Sequence, residues 1–452
     1  MKIGLVGWGI ETQSAYRHFG PDHDYLIVNE EPRDDFPAES DKIKLQFLSA
    51  KKPSGITSNV TDLSYLDGIE NCDEIIYSVT SVKNLEQRFG QDKNFWQKAN
   101  TVWHIFFEEV KTKNLIGVTG TKGKGTTSTL IYEMLKASGK TVYLAGNIGI
   151  SVLDILGDVQ KDNWVVLEMT NYQLYNFPYS PHIAVALMIT QEHQDWHKDM
   201  DEYLAAKTNL FARQKKDDIA IYFANNELSQ EIAGSSPGIK IPYFAKPGAV
   251  VKDEGVIVVG DPETEVIKTD EIKLIGEHNL ENVCAAVTTV WQIAPDLEAI
   301  AKVLTSFRGL EHRLEFVREV DNVSYYDDSF GTTPSTAIVA MKALVQPQVL
   351  ILGGSDKGLA FEPMVEEAVK DRTRHIITIG QTGPKIEQML RDKGFNKITA
   401  GLSKMTDIVT EARRVAQPGD VILLSTGCAS FGLFRDYKDR GEQFKQTVLA
   451  LI

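Results

Sequence analysis

The chain has 452 residues, a length that accommodates about three domains. Its net charge of −14, from 48 Lys and Arg against 62 Asp and Glu, excludes the basic field with which a nucleic-acid-binding protein meets phosphates. Any anionic ligand must therefore find a local cationic pocket. The three cysteines, Cys72, Cys284 and Cys428, lie far apart and exclude both a disulfide framework and a zinc-type pairing, which points to a reducing, cytoplasmic setting. No apolar run approaches the ~20 residues of a membrane span, so no membrane insertion is expected. The N-terminus runs straight into a strand pattern, and no signal peptide is expected there.

Lys2-Ile3-Gly4-Leu5-Val6 reads as a short buried strand, closed by the turn Gly7-Trp8-Gly9. A helix over 12–19 and a strand over 25–28 follow, a Rossmann-like start. The third glycine of a dinucleotide fingerprint is replaced by Thr12, so Gly7 belongs either to a structural turn or to a nucleotide-diphosphate site. A further strand covers 74–78, and a mixed helical stretch covers 94–110.

Leu115-Ile116-Gly117-Val118 leads into Thr119-Gly120-Thr121-Lys122-Gly123-Lys124-Gly125-Thr126-Thr127, and apolar residues at helical spacing follow. Strand, glycine-rich turn and helix form the setting in which backbone N–H groups and a helix N-terminus cradle phosphates. Lys124 would place a charge on the outer phosphates, and Thr126 or Thr127 would offer a hydroxyl to Mg²⁺. The spacing is not the standard one. Gly120 lies closer to the lysine than usual, and Gly125 follows it in place of Ser or Thr. An ordinary glycine turn is the plainer alternative.

Strands are expected at 140–145, 164–168, 183–189 and 220–224, alternating with helices, which makes a mostly parallel sheet with ligands beyond its carboxyl ends. Glu168 ends one of these strands and His193 follows another, so both fall on the edge that carries the glycine loop. A helix over 200–214 carries Lys207, whose spacing alone predicts only a solvated lysine. Residues 240–275 read as a small β region, and a helix covers 283–293. A third α/β domain begins near Gly309-Leu310-Glu311-His312-Arg313. Its strands are expected at 324–329, ending in Asp327 and Asp328, and at 349–354, 376–380 and 421–425, with helices at 363–369, 384–393 and 407–415.

Several runs resemble the Mur ligase superfamily in order and spacing. They are Gly120 to Lys124, Gly146-Asn147-Ile148-Gly149, Glu168-Met169-Thr170-Asn171-Tyr172-Gln173, His193-Gln194-Asp195, Ala205-Ala206-Lys207, His278-Asn279 with Asn282, Gly309 to Arg313, and Gly353 to Lys357. The run from Cys428 to Gly441 is most similar to the members that join D-glutamate to UDP-N-acetylmuramoyl-L-alanine. The resemblance covers most of the chain from about residue 114 onward. It implies an α/β protein of three domains: a Rossmann-like N-terminal domain (1–105) for the UDP-linked substrate, a central P-loop ATPase domain with a mostly parallel sheet (106–308), and a Rossmann-like C-terminal domain (309–452) for the amino acid. It also implies a monomeric cytoplasmic ligase that uses ATP.

By the same resemblance, Gly120, Thr121, Lys122, Gly123, Lys124, Gly125, Thr126 and Thr127 hold the phosphates. Asn279, Asn282, Arg313 and Asp328 contact the nucleotide. Two Mg²⁺ ions are implied, with Thr126 and Glu168 at the first and His193 and a carbamylated Lys207 at the second. Lys124, Glu168, His193 and Lys207 are then the catalytic set. Gly7, Asn147, Thr170 and Gln173 line the UDP-substrate side, while Thr332, Lys357, Ser430 and Phe431 match positions that hold the incoming D-glutamate. The chain departs from the pattern at three places. Gly-Lys-Gly-Thr-Thr is similar to folylpolyglutamate synthase, a relative that begins close to its loop, whereas here a full domain's length precedes it. Phe330 replaces a lysine, which predicts a less cationic acceptor pocket. Asn29 stands where an aspartate usually meets the uracil.

Overall fold

The apolar runs become the middles of parallel sheets in the computed structural model, which describes residues 1–33, 35–48, 62–190, 196–274, 276, 278–356 and 358–451. Five strands, β1 (Lys2–Val6), β2 (Asp24–Asn29), β3 (Ile43–Phe47), β4 (Glu74–Tyr77) and β5 (Ala99–Asn100), pair in parallel in the order β3-β2-β1-β4-β5. Six more form the central sheet: β6 (Leu115–Thr119), β7 (Val142–Gly146), β8 (Trp164–Glu168), β9 (Ile183–Ala186), β10 (Ile219–Phe223) and β11 (Ile239–Tyr243). Their order is β11-β10-β9-β6-β8-β7, all parallel, with β6 between β9 and β8. Every residue of β6 and β9 is buried, as expected for strands covered on both faces.

These two sheets belong to one compact unit, Met1–Glu271 with Leu280–Thr305. They share a core in which Ile3, Leu5 and Ala15 pack with Trp103, Phe106, Val152, Leu153 and Val165. Each fully buried large side chain there contributes about 1.5–3 kcal/mol of burial free energy. The helix Ile10–Phe19 runs along the joint. Glu11, Ser14 and Arg17 recur every three residues and so fall on one face. Ser14 Oγ lies 2.6 Å from Ser151 Oγ, and Arg17 donates to both Asp154 oxygens at 2.8 and 2.9 Å.

The region 240–275 differs from the sequence expectation. Its first strand, β11, closes the edge of the central sheet beside β10. Only β12 (Val250–Val251), β13 (Val256–Val259) and β14 (Thr264–Lys268) form the small antiparallel sheet. Alternation alone reads both kinds of strand alike. The helix expected over 200–214 stops at Thr208.

The second unit, Ile272–Asn279 with Ser306–Ile452, holds β15 (Glu315–Val320), β16 (Val323–Asp327), β17 (Gln348–Leu352), β18 (Thr373–Ile379), β19 (Ile398–Leu402) and β20 (Val421–Leu424). Their order is β15-β16-β20-β17-β18-β19, parallel apart from the antiparallel β15. The two edge strands, β15 and β19, were not expected from the sequence. Neither has a clean apolar face, because most of their residues are half-buried.

Gly146 ends β7 at φ 108°, and a Cβ there would run into the Glu168 carbonyl oxygen on the neighbouring strand. Gly146→Ala is expected to lower the unfolding free energy by about 1–3 kcal/mol from backbone strain alone. Denaturant titration checks this, and an unchanged midpoint would contradict the packing described.

Candidate active site

The glycine loop leaves the carboxyl end of β6, which lies between β9 and β8 in the central sheet. Gly120 has φ 156°, and a Cβ there would stand 2.7 Å from Leu187 Cβ. Gly123 caps the helix Lys124–Ala137 in the left-handed region at φ 85°, and a Cβ there would collide with Asn282 Oδ1. Both glycines are thus required by backbone geometry and by close approach. Thr121 fixes the loop from the side: its Oγ1 accepts from Thr190 N at 2.9 Å and lies 2.9 Å from Tyr203 OH. Thr127 Oγ1 donates to Asn282 Oδ1 at 3.3 Å. Thr126 is buried in the first turn of the same helix. Lys122 lies in the loop itself, and Gly125 follows Lys124 in the first turn.

Two amines converge on this loop. Lys124 Nζ donates to Gly120 O and Thr121 O, each at 3.0 Å. Lys207 Nζ also donates to Gly120 O at 3.0 Å and reaches Thr119 Oγ1 at 3.4 Å. Lys207 is 1 % exposed, with its ammonium 4.8 Å from the centre of the Tyr203 ring. The solvated lysine predicted by helical spacing alone is not what the fold produces.

Glu168 ends β8, in register with Val118 of β6. Asn147 Nδ2 donates to Glu168 Oε1 at 3.0 Å, and Asn147 N donates to Glu168 O at 3.0 Å. Thr170 and Gln173 cap the short helix Asn171–Leu174: Thr170 N and Oγ1 both donate to Gln173 Oε1, at 2.8 and 3.0 Å. In the first sheet, Gly7 N donates to Val28 O at 2.8 Å and Trp8 N donates to Asn29 Oδ1 at 2.9 Å. Asn29 therefore orders the glycine turn. His193 lies outside the described residues.

In the second unit Arg313 sits between two residues in the left-handed region, His312 at φ 61° and Leu314 at φ 46°. Four contacts hold this strained loop. His312 N donates to Glu315 Oε2 at 2.8 Å, Leu314 N to Asp328 Oδ1 at 3.1 Å, and Phe330 N to His312 O at 2.8 Å. His312 Nδ1 lies 2.7 Å from Asp327 Oδ2. The guanidinium of Arg313 lies 4.3 Å from the centre of the Phe330 ring, close enough for a cation–π contact. Asp327, which ends β16, and Asp328, just past it, therefore separate in role. Burial pulls the His312 imidazole down, but its bond to Asp327 outweighs this and leaves it above its ordinary value. Burial pushes Asp328 up to about 7, although Ser425 Oγ donates to it at 2.6 Å.

Behind this loop Arg440 is fully buried. Its guanidinium donates to Ser329 Oγ and Ser329 O at 2.8 Å and to Cys428 O at 3.1 Å, and burial lowers it to about 10. Ser430 is buried and Phe431 is 61 % exposed, directly after the Ala429 carbonyl that accepts from Ser355 N. Thr332 follows Gly331 in the turn before the helix Pro334–Ala343, and Asn279 opens the helix His278–Trp291. Lys357 lies outside the described residues.

Comparison with known proteins decides the family. The model of the Mur ligase middle domain matches residues 118–290, and that of the Mur ligase, glutamate ligase domain, matches 312–428. A UDP-N-acetylmuramoylalanine–D-glutamate ligase of Acetivibrio thermocellus is 35 % identical over 399 residues, covering 85 % of this chain and 84 % of the relative. The chain belongs to the Mur ligase family. The ligase of the same name from Symbiobacterium thermophilum is 40 % identical over 75 % of each chain, and that of Clostridium kluyveri is 32 % identical over 99 % of this chain and 96 % of its own. Among solved structures, the MurF ligase of Thermotoga maritima in complex with ADP shares the fold at a TM-score of 0.58 and 17 % identity, covering 99 % of this chain and 95 % of its own. UDP-N-acetylmuramate-alanine ligase from the same organism gives 0.59 and 16 %, covering 100 % and 99 %. Mur ligases are ATP-dependent amide ligases.

This Mur ligase family member also carries buried groups beside the site that the sequence reading passed over. Asn171 Nδ2 donates to His197 Nε2 at 2.8 Å, which leaves His197 Nδ1 to donate to Glu202 Oε2 at 3.2 Å. Lys83 completes the chain, donating to Glu202 Oε1 at 2.8 Å and Tyr175 OH at 3.0 Å. A second histidine four residues after His193 was the sole sequence signal for this network.

Because Asp328 is raised in the folded state, it binds its proton there more tightly than in the unfolded chain. Its contribution to stability is complete below about pH 4 and is lost as pH rises through about 7. Relative to Asp328→Asn, the wild type is therefore expected to lose stability between pH 4 and 7, measured by denaturant unfolding at each pH. A constant difference across that window would contradict the burial argument.

Proposed function

We propose that this chain is an ATP-dependent ligase that joins D-glutamate to UDP-N-acetylmuramoyl-L-alanine, in cytoplasmic peptidoglycan precursor synthesis. It acts as a monomer whose domains, 1–105, 106–308 and 309–452, take the UDP-linked substrate, ATP and the amino acid. The observation that carries the reading is the pair of amines on Gly120 O, at the strand ends that also bear Glu168. Coverage of relatives that bear this name supports the substrate assignment.

The substrate carboxylate attacks the γ-phosphorus of ATP and ADP departs. The amine of D-glutamate then attacks the acyl carbon, phosphate leaves, and the amine gives up its proton. Such transfer depends mainly on positioning and charge neutralisation. Lys124, a compact point charge, meets the phosphates together with the N–H groups of the loop from Gly120 to Thr127. Asn279, Asn282, Arg313 and Asp328 contact the rest of the nucleotide. Gly7, Asn147, Thr170 and Gln173 hold the UDP-linked substrate, while Thr332, Lys357, Ser430 and Phe431 hold D-glutamate.

The donor set suits Mg²⁺, which prefers hard oxygen ligands. Thr126 and Glu168 would hold one ion, and His193 and a carbamylated Lys207 the other. Bound Mg²⁺ supplies neutralisation of phosphate charge. Carbamylation fits the geometry around Gly120. Two ammonium groups on one carbonyl repel, and turning Lys207 into a carbamate replaces that like-charge pair with an opposite-charge one. The Gly-Lys-Gly-Thr-Thr loop favours a folylpolyglutamate synthase-like reaction as the second reading.

A phosphate-release assay with UDP-N-acetylmuramoyl-L-alanine and with dihydropteroate, each against a panel of amino acids, decides between them. Release is expected with the first substrate and D-glutamate. Better use of dihydropteroate, or of a neutral amino acid, would overturn the reading. Lys124→Ala is expected to lower kcat by about 100-fold or more. Removing bicarbonate is expected to depress the wild type while leaving Lys207→Ala at its own low rate. Full wild-type activity without bicarbonate would rule out the carbamate.

A further inference from the structure

The carboxyl group of Glu11 has no part in the chemistry above, yet it lies among groups from three separate segments. Trp103 Nε1 donates to Glu11 Oε1 at 2.8 Å, and Gln173 Nε2 donates to the same oxygen at 3.2 Å. Trp103 and Gln173 are both buried. A bond from the Val79 backbone completes the set, and burial outweighs all three donors to leave Glu11 above the usual carboxylate range.

The consequence falls on Gln173. Its amide oxygen is taken by Thr170 N and Thr170 Oγ1. Its nitrogen must therefore point the other way and needs an acceptor, since a buried amide N–H left without one is costly. Glu11 is that acceptor, and Trp103 in turn fixes Glu11. The hydroxyl proton of Thr170 is thereby committed to Gln173 Oε1, and one lone pair of Oγ1 accepts from Gln173 N in the capping box, so Thr170 Oγ1 presents its other lone pair and Gln173 keeps a second N–H to offer. Glu11 also lies in the first turn of the helix that follows Gly7-Trp8-Gly9. It thus stands between the two parts of the chain assigned above to the UDP-linked substrate. Ser14 and Arg17, on the same helix face, hold that helix against Ser151 and Asp154.

We propose that Glu11 is a positioning residue for the UDP-linked substrate: it fixes the Gln173 amide, and through it the Thr170 hydroxyl, in the orientation that receives the substrate. The proposal rests on the function assigned above. It differs from a purely structural role, in which Glu11 only fastens the first sheet to the central one.

Steady-state kinetics of the full chain separate the two, with UDP-N-acetylmuramoyl-L-alanine, ATP and D-glutamate varied in turn. Glu11→Ala is expected to raise KM for the UDP-linked substrate by about tenfold, the scale of one lost hydrogen bond, with KM for ATP within about twofold of wild type. Glu11→Gln keeps a carbonyl oxygen for Trp103 and Gln173 and is expected to restore most of the loss. Gln173→Glu sets two carboxyl groups against each other and is expected to raise the same KM, while Glu11→Gln with Gln173→Glu recovers a donor–acceptor pair and lowers it again. Arg17→Ala loosens the same helix without touching Gln173 and is expected to lower Tm with all KM values unchanged. The positioning role is overturned if Glu11→Ala leaves KM for the UDP-linked substrate unchanged, if all KM values rise together, or if Arg17→Ala reproduces the selective rise. A wild type that ligates no D-glutamate to this substrate overturns the assigned function itself, and the proposal with it.

Discussion

One carbonyl oxygen, that of Gly120, organises the carboxyl-end edge of the central sheet in the first unit. It accepts from Lys124 on the helix that follows it and from Lys207 on a helix about ninety residues later in the chain. That meeting requires a peptide turned outward at the end of a buried parallel strand. Gly120 permits it because its backbone angle and its contact with Leu187 leave no room for a side chain. The buried position of β6, with β9 and β8 on either side, holds the turn in place. Glu168 then stands on an adjacent strand end with no further device, since β8 runs parallel to β6 and stops at the same level.

The second unit solves a related problem by different means. Arg313 is presented from a loop with two non-glycine residues in a conformation that costs about 1–3 kcal/mol each. The surrounding bonds to Glu315, Asp327, Asp328 and Phe330 offset that cost. Gly441 allows the arrangement to close, since a side chain there would run into His312 and Asp327. Phe330 has a positive task as well: it offers an aromatic face to the Arg313 guanidinium.

Central strands and the glycine loop were legible in the sequence because both sides of β6, β9 and β17 are covered, which leaves uninterrupted apolar runs. The edge strands β3, β15 and β19 were not, because half-exposed residues dilute any period. The placement of candidate residues was legible where they sit at a strand end or in the glycine loop, as with Lys124 or Glu168. It was illegible where tertiary packing assigns the role. Lys207 reads as solvent-facing by periodicity and is 1 % exposed in the fold. Glu11 and His197 drew no role from the sequence, since Trp103 and Gln173 beside Glu11, and Asn171 beside His197, lie on other segments of the chain. Asp327 and Asp328 are adjacent in sequence yet face different neighbours, since successive residues at a strand end point to opposite sides.

The contact between Thr127 and Asn282 has a consequence for biosynthesis. The two residues are separated by 155 positions. Between them the chain completes the central sheet and passes through 272–279, which belong to the other unit, before returning at Leu280. At ribosomal rates of about 5–20 residues per second, the loop emerges roughly 8–30 s before the residue that walls it in. A nascent chain cut short before the helix His278–Trp291 would carry the whole loop sequence and lack the side chain against which Gly123 packs.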